Sequence, residues 1–490
     1  MTLAITLDHQ SQLPLHHQVY EQVRALILTG RMGAGQRLPS TRLLAESLGI
    51  ARATVTESYD RLLSEGYIHT VPCSGTFVSD HLPEQLLASP PVVNSHPTAM
   101  ADTGLEQISR YGKYVLGSTV LKQPRSHEQI NFGFGPPAME QLPIEEWRRL
   151  INHHCKNREY TVFGYSFDFA GHKPLREAIA SYLSRSRALR CDAEQVIIVS
   201  GSQQALDLVS RVLIDHNDLV GVENPGYPAV RHTCAAQGAR IVPLSVDNDG
   251  LIVSRLPEIS ERLKLVYVTP SHQYPTGTVM PLSRRLELLS WAAQNGTIVL
   301  EDDYNSEYRY EGRPLPALQG IDNAGCVFYT GTFSKVLFPA IRIGYLVVPH
   351  RFIQVMTAAK VLSDRQSAML EQHVLTDFIN EGHLERHVRK MRMIYERRRT
   401  VLLNALKLFF NENVSVIGQN AGMHVLARFR LKFSDEEIIA RAKDYGVGIS
   451  SSRFTYLDGH ESGEFLLGYA DMHEDSIREG IIRLSRALLG

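Results

Sequence analysis

Thr330-Gly331-Thr332-Phe333-Ser334-Lys335-Val336-Leu337-Phe338-Pro339-Ala340-Ile341-Arg342-Ile343-Gly344-Tyr345 is the stretch that decides how this chain is read. It carries one amine, Lys335, out of a small polar run into an apolar segment, and Arg342 follows seven residues later. An amine so placed suits a Schiff base with an aldehyde cofactor, and a nearby guanidinium suits that cofactor's phosphate. Far upstream, the chain begins with a pattern of a different kind, short helical periods followed by two alternating segments.

At 490 residues the chain exceeds one compact core, so two or more domains are expected. With 43% apolar and 21% charged residues it has the balance of a soluble globular protein. A formal net charge of −1 gives no general pull toward nucleic acid, so any DNA contact must come from a local basic surface. Five scattered cysteines, Cys73, Cys155, Cys191, Cys234 and Cys326, form no C-x-x-C pair. That argues against a disulfide framework or a zinc site and for a reducing compartment. No basic start followed by an apolar stretch and no membrane-length apolar run is present, so a cytoplasmic, nucleoid-associated protein is expected.

Residues 1–80 read as one unit. Leu15 to Leu28 carries Val19, Val23, Leu26 and Ile27 at helical spacing, and Gly30 closes it. Pro39-Ser40-Thr41 opens a short helix that stops at Gly49, and Ala51 to Ser64 presents Val55, Tyr59, Leu62 and Leu63 on one face before Gly66. Tyr67 to Val71 and Gly75 to Ser79 then alternate like two strands around a Pro-Cys-Ser turn. Three helices and a hairpin make a winged helix-turn-helix, mainly α with a β wing. Such domains read the major groove with the second helix of the motif. Arg52 and Thr54 stand on the first turn of that helix, and Arg37, Ser40 and Arg42 surround the start of the helix before it, where they suit phosphates. Residues 15 to 78 resemble the GntR family down to Gly35-Gln36-Arg37-Leu38-Pro39-Ser40-Thr41-Arg42 and Ser64-Glu65-Gly66-Tyr67-Ile68. The alternative is a helical hairpin that packs on the larger domain, because the head carries no lysine and about as many acids as arginines. A second basic stretch, Arg386 to Arg399, has charges all round its helix and reads as solvated.

Residues 81–128, rich in Pro, Ser, His and Gln, read as a linker with some helix around Gln107 to Leu116. In 129–490, apolar runs at Val196–Val199, Leu219–Val222, Leu265–Val268, Ile298–Leu300 and Cys326–Tyr329 alternate with helical patterns. That alternation predicts an α/β domain with a largely parallel sheet. Helices near Met356 to Leu408 and a βαβ-like tail past Val414 predict a smaller C-terminal α+β lobe.

Chemistry of the pyridoxal 5'-phosphate kind needs an amine, an acid at the pyridine nitrogen, a phosphate cup, a ring-stacking partner and a donor to the phenolic oxygen. Ser200-Gly201-Ser202-Gln203 follows a strand and opens a helix, so its N–H groups can cradle phosphate. Asn224-Pro225-Gly226-Tyr227-Pro228 sets an aromatic ring on a turn, which is also a plain structural motif. Glu301-Asp302-Asp303-Tyr304 ends a strand, where α/β sites lie; no further histidine or carboxylate cluster supports a metal there.

The joint order of these motifs is similar to that of fold type I, class I/II aminotransferases from about residue 130 onward. The whole chain resembles the MocR/GabR regulators, in which a GntR head precedes an aminotransferase-like, α/β PLP-dependent transferase body. The resemblance implies a Schiff base at Lys335, Asp302 at the pyridine nitrogen, Tyr304 at the phenolic oxygen and Tyr227 on the ring. It assigns the phosphate to Gly201, Ser202, Gln203 and Arg342, with Tyr165 reaching across a homodimer interface. Arg453, in Ser451-Ser452-Arg453-Phe454, matches the arginine that grips an amino-acid carboxylate.

One departure stands out. The family's Asn-Pro-x-Gly loop appears as Tyr274-Pro275-Thr276-Gly277, without the asparagine that donates to the phenolic oxygen. That favours regulation over efficient transamination. The expectation is therefore a regulator that binds double-stranded DNA and senses an amine, an amino acid or the B6 vitamer itself at Lys335. The competing readings are a working aminotransferase with an accessory head and a regulator that has lost the cofactor.

Overall fold

A computed structural model describes residues 3–72, 74–83, 107–118, 128–156, 160–312, 315–460 and 462–490. The chain divides into two units, Met1–Glu106 and Gln107–Gly490. In the first, α1 (Leu15–Leu28), α2 (Thr41–Leu48) and α3 (Arg52–Ser64) precede a hairpin of β1 (Ile68–Val71) and β2 (Gly75–Val78). Val19, Val23 and Ile27 of α1 meet Val55, Tyr59 and Leu62 of α3 in one core with Leu44 and Tyr67, because helical spacing puts them on single faces. Leu63, expected on that face, is exposed instead. Ser40 caps α2 by accepting from the Leu43 N–H at 3.2 Å. Gly49 ends that helix at φ +66°, a left-handed conformation that suits glycine. The hairpin pairs Ile68 with Val78 in antiparallel register, and Cys73 of its turn lies outside the described residues.

Of the span 81–128, residues 84–106 and 119–127 lie outside the described residues. The helix Arg110–Gly117 belongs to the larger unit. Its Tyr114 hydroxyl lies 3.0 Å from His232 Nδ1, and Arg110 Nη1 lies 3.2 Å from His216 Nε2.

The larger unit begins its strands with β3 (Ile130–Asn131). Its main sheet uses β4 (Val196–Val199), β5 (Leu219–Asn224), β6 (Arg240–Asp247), β7 (Gly250–Leu251), β8 (Leu263–Val268), β9 (Ile298–Asp303), β10 (Val327–Thr332) and β11 (Gly344–Val347). They lie in the order β4-β11-β10-β9-β8-β5-β6-β7. From β10 to β6 the neighbours are parallel, while β11 runs antiparallel to both β4 and β10. The expected apolar runs are buried strands packed between helices on both faces. β11, which follows directly on the Lys335 stretch, was not among those runs.

The second lobe is an antiparallel sheet of β12 (Val414–Ile417), β13 (His424–Phe429), β15 (Ser450–Ser451) and β16 (Glu464–Gly468) in the order β12-β13-β16-β15. The expected βαβ-like tail is thus antiparallel, although β14 (Val447–Gly448) pairs in parallel with β3. The helices His383–Phe410 and Glu474–Leu489 cover this sheet through Leu402, Leu406, Ile477 and Ile481. Not all of the basic stretch is solvated. Arg398 donates to the Ala470 carbonyl and to Glu140, and Arg399 donates to the Gln419 carbonyl.

The two lobes meet backbone to backbone. A Cβ at Gly418, where φ is +71°, would lie 1.8 Å from the Thr276 carbonyl oxygen and 2.6 Å from Gly277 Cα. Gly459 has the same φ of +71° but open space around it. Gly418→Ala is therefore expected to cost on the order of 3 kcal/mol, and Gly459→Ala about 1 kcal/mol. Urea unfolding of the two variants beside the parent checks the difference.

Candidate cofactor and ligand site

Lys335 leaves the end of β10 on a loop, and its Nζ donates to the Gly135 carbonyl at 2.5 Å. The amine also lies 4.6 Å from the centre of the Phe134 ring. Burial lowers its pKa to about 8, so the neutral, nucleophilic form is accessible near neutral pH.

Asp302 sits on the neighbouring strand of the same edge, β9, opposite Thr330 of β10. One oxygen, Oδ2, accepts from the Tyr267 hydroxyl at 2.7 Å; the other, Oδ1, is buried without a partner. Burial pushes Asp302 up to about 7, the Tyr267 bond opposes the rise, and Asp303 adds to it. Asp303 belongs to a separate knot, accepting from Arg187 Nε at 2.8 Å and from the Tyr329 hydroxyl at 2.7 Å. The Tyr304 hydroxyl is also buried and unpartnered, and burial raises its pKa well above the usual phenol value.

The turn after β4 forms a cup. Gly201, at φ +90°, opens the helix Ser202–Leu213, and a Cβ there would come 3.1 Å from Arg342 Nη2. Arg342 Nη2 itself donates to the Ser200 carbonyl at 2.7 Å, so the guanidinium lies against this turn. Helix starts leave N–H donors unpaired, which favours an anion at this place. The Gln203 side chain is committed to Thr233 Oγ1 at 2.9 Å, which leaves its backbone to face the cup.

Tyr227 precedes the helix Pro228–Ala236, and its ring meets Tyr274 edge-on at 5.8 Å. Tyr274 also contacts Phe134 at 5.8 Å and Tyr304 at 6.3 Å. Thus Lys335, Asp302, Tyr304, Tyr227, Gly201, Ser202 and Arg342 all lie at the carboxyl edge of one sheet and its adjoining turns.

Two expected residues stand apart. Tyr165 is 75% exposed, and its ring faces Arg365 at 4.8 Å. Arg453 has a side chain 66% exposed, with Nη1 at 2.9 Å from Glu436. Sequence reasoning missed Tyr267, Phe134, His424 and Ser334, whose Oγ is buried and unpartnered. Only Tyr267 left a signal, a phenol inside a buried strand that needs a partner for its hydroxyl.

In the smaller unit, Arg52 Nε reaches Thr41 Oγ1 at 3.3 Å, joining the starts of α2 and α3. Arg42 is exposed and pairs with Glu46, while Arg37 lies against Gly75 of the wing, 2.8 Å from the place of a Cβ. Thr54 is half-buried on the first turn of α3. Among the described residues, no helix is long and apolar enough to cross a membrane, and no cluster of three or more His, Cys, Asp or Glu could hold a metal ion.

Residues 127–484 match the family aminotransferase class I and II, and residues 15–78 match the bacterial regulatory proteins of the gntR family. The chain is 36% identical to the probable rhizopine catabolism regulatory protein MocR of Rhizobium meliloti, over 99% of this chain and 96% of that one. It is 31% identical to the HTH-type transcriptional regulator TauR of Rhodobacter capsulatus, over 97% and 96% of the two chains. With the HTH-type pyridoxine biosynthesis transcriptional regulator PdxR of Corynebacterium glutamicum the identity is 28%, over 99% and 98%. Among solved structures, the larger unit is similar to LysN, the α-aminoadipate aminotransferase of Thermus thermophilus complexed with N-(5'-phosphopyridoxyl)-L-leucine. The TM-score is 0.72 at 28% identity, over 79% of this chain and 98% of that one. A kynurenine aminotransferase of Pyrococcus horikoshii gives a TM-score of 0.70 at 30% identity, over 79% and 96%. A GntR head on a class I/II aminotransferase body, matched from end to end by such regulators, places this chain in the MocR-type family of transcriptional regulators.

Proposed function

We propose that this protein binds double-stranded DNA through its head and senses an amine at a pyridoxal-phosphate site built around Lys335. The observation that carries the reading is a buried amine at the same sheet edge as two buried polar atoms that lack partners. Lys335 follows the end of β10, and the adjacent β9 ends at Asp302-Asp303 before Tyr304; the Asp302 Oδ1 and the Tyr304 hydroxyl are buried yet unpartnered. Buried polar atoms ordinarily have partners, and the pyridine nitrogen and phenolic oxygen of this cofactor would supply both. At the Gly201 turn the absence of a Cβ lets the Arg342 guanidinium lie close against the start of the helix Ser202–Leu213, where an anion would be held. The residues present therefore fit the group.

When bound, pyridoxal phosphate supplies an aldehyde carbon at which one amine can replace another. Lys335, through its neutral amine, would be the residue that holds that carbon. Asp302 would face the pyridine nitrogen, its carboxyl oriented by the Tyr267 hydroxyl. Tyr304 would donate to the phenolic oxygen, and Tyr227 would pack on the ring. The N–H groups of Ser202 and Gln203, with Gly201 and Arg342, hold the phosphate. Tyr165, exposed in one chain, serves a second chain of a homodimer, which would also bring two heads to two half-sites. The sensed molecule is an amine, an amino acid or the vitamer itself. Its influence on DNA binding equals its difference in affinity for the two states of the regulator.

In the head, Arg52 and Thr54 face the bases, and Arg37, Ser40 and Arg42 face phosphates. Arg52→Ala is expected to weaken binding to the promoter of the protein's own gene by about 1–3 kcal/mol and to relax its sequence preference; fluorescence anisotropy on matched and mutated sites reads both. Lys335→Ala should lose the visible absorbance of bound cofactor and the response of DNA binding to amines. A normal response in that variant would refute the sensing reading.

The pH dependence follows from the direction of the Lys335 shift. Its reactive form is the unprotonated one, and its pKa is about 8 against 10.5 for an ordinary lysine. The rate of cofactor capture should therefore climb from about pH 7 and level off by about pH 9, rather than continue to rise; stopped-flow absorbance checks this. With Tyr274 in place of an asparagine, incubation with amino acids and a keto acid is expected to give no sustained turnover, as product analysis over hours would show.

A further inference from the structure

One side of the site, next to Lys335, is a wall of aromatic rings. Starting from the Lys335 amine, Phe134 leads to His424 at 4.4 Å and to Tyr274 at 5.8 Å between ring centres. Tyr274 packs with Leu426 and Leu466 and with the half-buried Tyr227, Tyr304 and Ile417. Apart from the Tyr304 hydroxyl, assigned above to the cofactor, the wall carries an unpartnered polar atom on His424. Its Nε2 lies 3.0 Å from the Pro275 carbonyl oxygen, which can only accept. The proton of the neutral ring is thus on Nε2, and Nδ1 is left as a lone-pair acceptor. That Nδ1 is buried and has no partner. Burial lowers His424 to about 4, partly offset by the Pro275 bond and reinforced by Lys335, so the ring stays uncharged.

Behind the rings stand acids. Asp302 and Glu223 are both fully enclosed, and both raise the pKa of Tyr304. The guanidiniums around the site are spoken for elsewhere. Arg231 donates to the carbonyls of Phe454 and Tyr456 at 2.7 and 2.9 Å, Arg428 to Glu464 at 2.6 Å, and Arg187 to Asp303. Arg342 lies at the phosphate cup, and Arg453, the residue expected to grip a carboxylate, points to Glu436 at the surface. A carboxylate held against this wall would meet none of these guanidiniums unpaired and would lie near a lone-pair acceptor and two acids, so its lost hydration would go without a cationic partner. An uncharged donor, O–H or N–H, would instead satisfy the His424 nitrogen.

We propose that the ligand accepted at the Lys335 site is an amine with no carboxylate beside its amino group, whose body carries a hydroxyl or amide N–H that donates to His424 Nδ1. This names the ligand class of the amine-sensing reading above and rests on it.

The test uses the full-length, cofactor-loaded protein and matched pairs of ligands. Tyrosine is compared with tyramine and serine with ethanolamine, each amine lacking only the carboxylate of its partner; ethylamine tests the hydroxyl. Half-saturation is read from the cofactor's visible absorbance and, separately, from the change in affinity for promoter DNA. The amines are expected to saturate at concentrations at least about tenfold lower than their amino acids, and ethanolamine ahead of ethylamine. His424→Phe should erase the preference for ethanolamine over ethylamine, and His424→Gln, which retains an acceptor, should keep part of it. Amino acids saturating at equal or lower concentration would overturn the ligand class. A preference that survives His424→Phe would overturn the role of Nδ1. If no member of any pair moves either readout while the cofactor stays bound, the amine-sensing reading itself fails and this inference goes with it.

Discussion

The buried knot of Arg187, Asp303, Tyr329 and Ser271 is the interaction on which the rest of the site depends. Arg187 ends the helix Lys173–Arg187 and reaches Asp303 Oδ2 at 2.8 Å and Ser271 Oγ at 2.7 Å, while Tyr329 donates to the same Asp303 oxygen at 2.7 Å. Asp303 follows Asp302 on β9, Tyr329 lies on β10 ahead of Lys335, and Ser271 begins the loop that carries Tyr274. One guanidinium therefore fixes the acid, the amine's strand and the aromatic wall relative to each other. A buried ion pair of this kind costs about 3–5 kcal/mol when one partner is removed, because the other charge is left without compensation. It contributes placement more than net stability.

That division of labour between Asp302 and Asp303 explains why two adjacent carboxylates coexist at one strand end. Successive residues of a strand point to opposite faces. Asp303 is turned to the Arg187 knot, and Asp302 is turned to Tyr267 with one oxygen left over. The first is held through one oxygen, Oδ2, by a cationic and a phenolic donor, and its Oδ1 is buried without a hydrogen-bond partner. The second is set in low dielectric near its neutral point, which suits a group that shares a proton.

The sequence made much of this legible because the chemistry-bearing residues fall at strand ends, in an order that survives without knowing the sheet. Gly201, Tyr227, Asp302, Tyr304, Lys335 and Arg342 could be picked out that way. What could not be picked out depends on partners far along the chain. Tyr267 matters because β8 and β9 are neighbours, and Phe134 because a loop after β3 runs under Lys335. His424 comes from the other lobe. Arg453 illustrates the reverse: its residue type and neighbours matched a carboxylate grip, but Glu436 at the start of the helix Asp435–Asp444 draws its guanidinium outward. β11 was passed over because its short apolar run continues the lysine stretch and carries no turn signal of its own.

The lobe junction bears on how a small ligand could be felt beyond its pocket. Tyr274 faces the site, yet the backbone of its loop touches the second lobe directly. His424 Nε2 donates to the Pro275 carbonyl, and Gly277 packs on Gly418 with no side chain between them. The strand ends beyond Tyr304 are held by the same segment, since the Gly422 N–H donates to the Tyr308 carbonyl, and Tyr310 and Tyr469 both donate to the Gly422 carbonyl. Flexible side chains absorb small displacements by changing rotamer, but packed backbone does not. A shift of Tyr274 on ligand entry therefore moves the 418–424 segment with it or is resisted by that segment. Either way, the free energy of ligand binding comes to include the position of the second lobe, which is the physical requirement for a sensor.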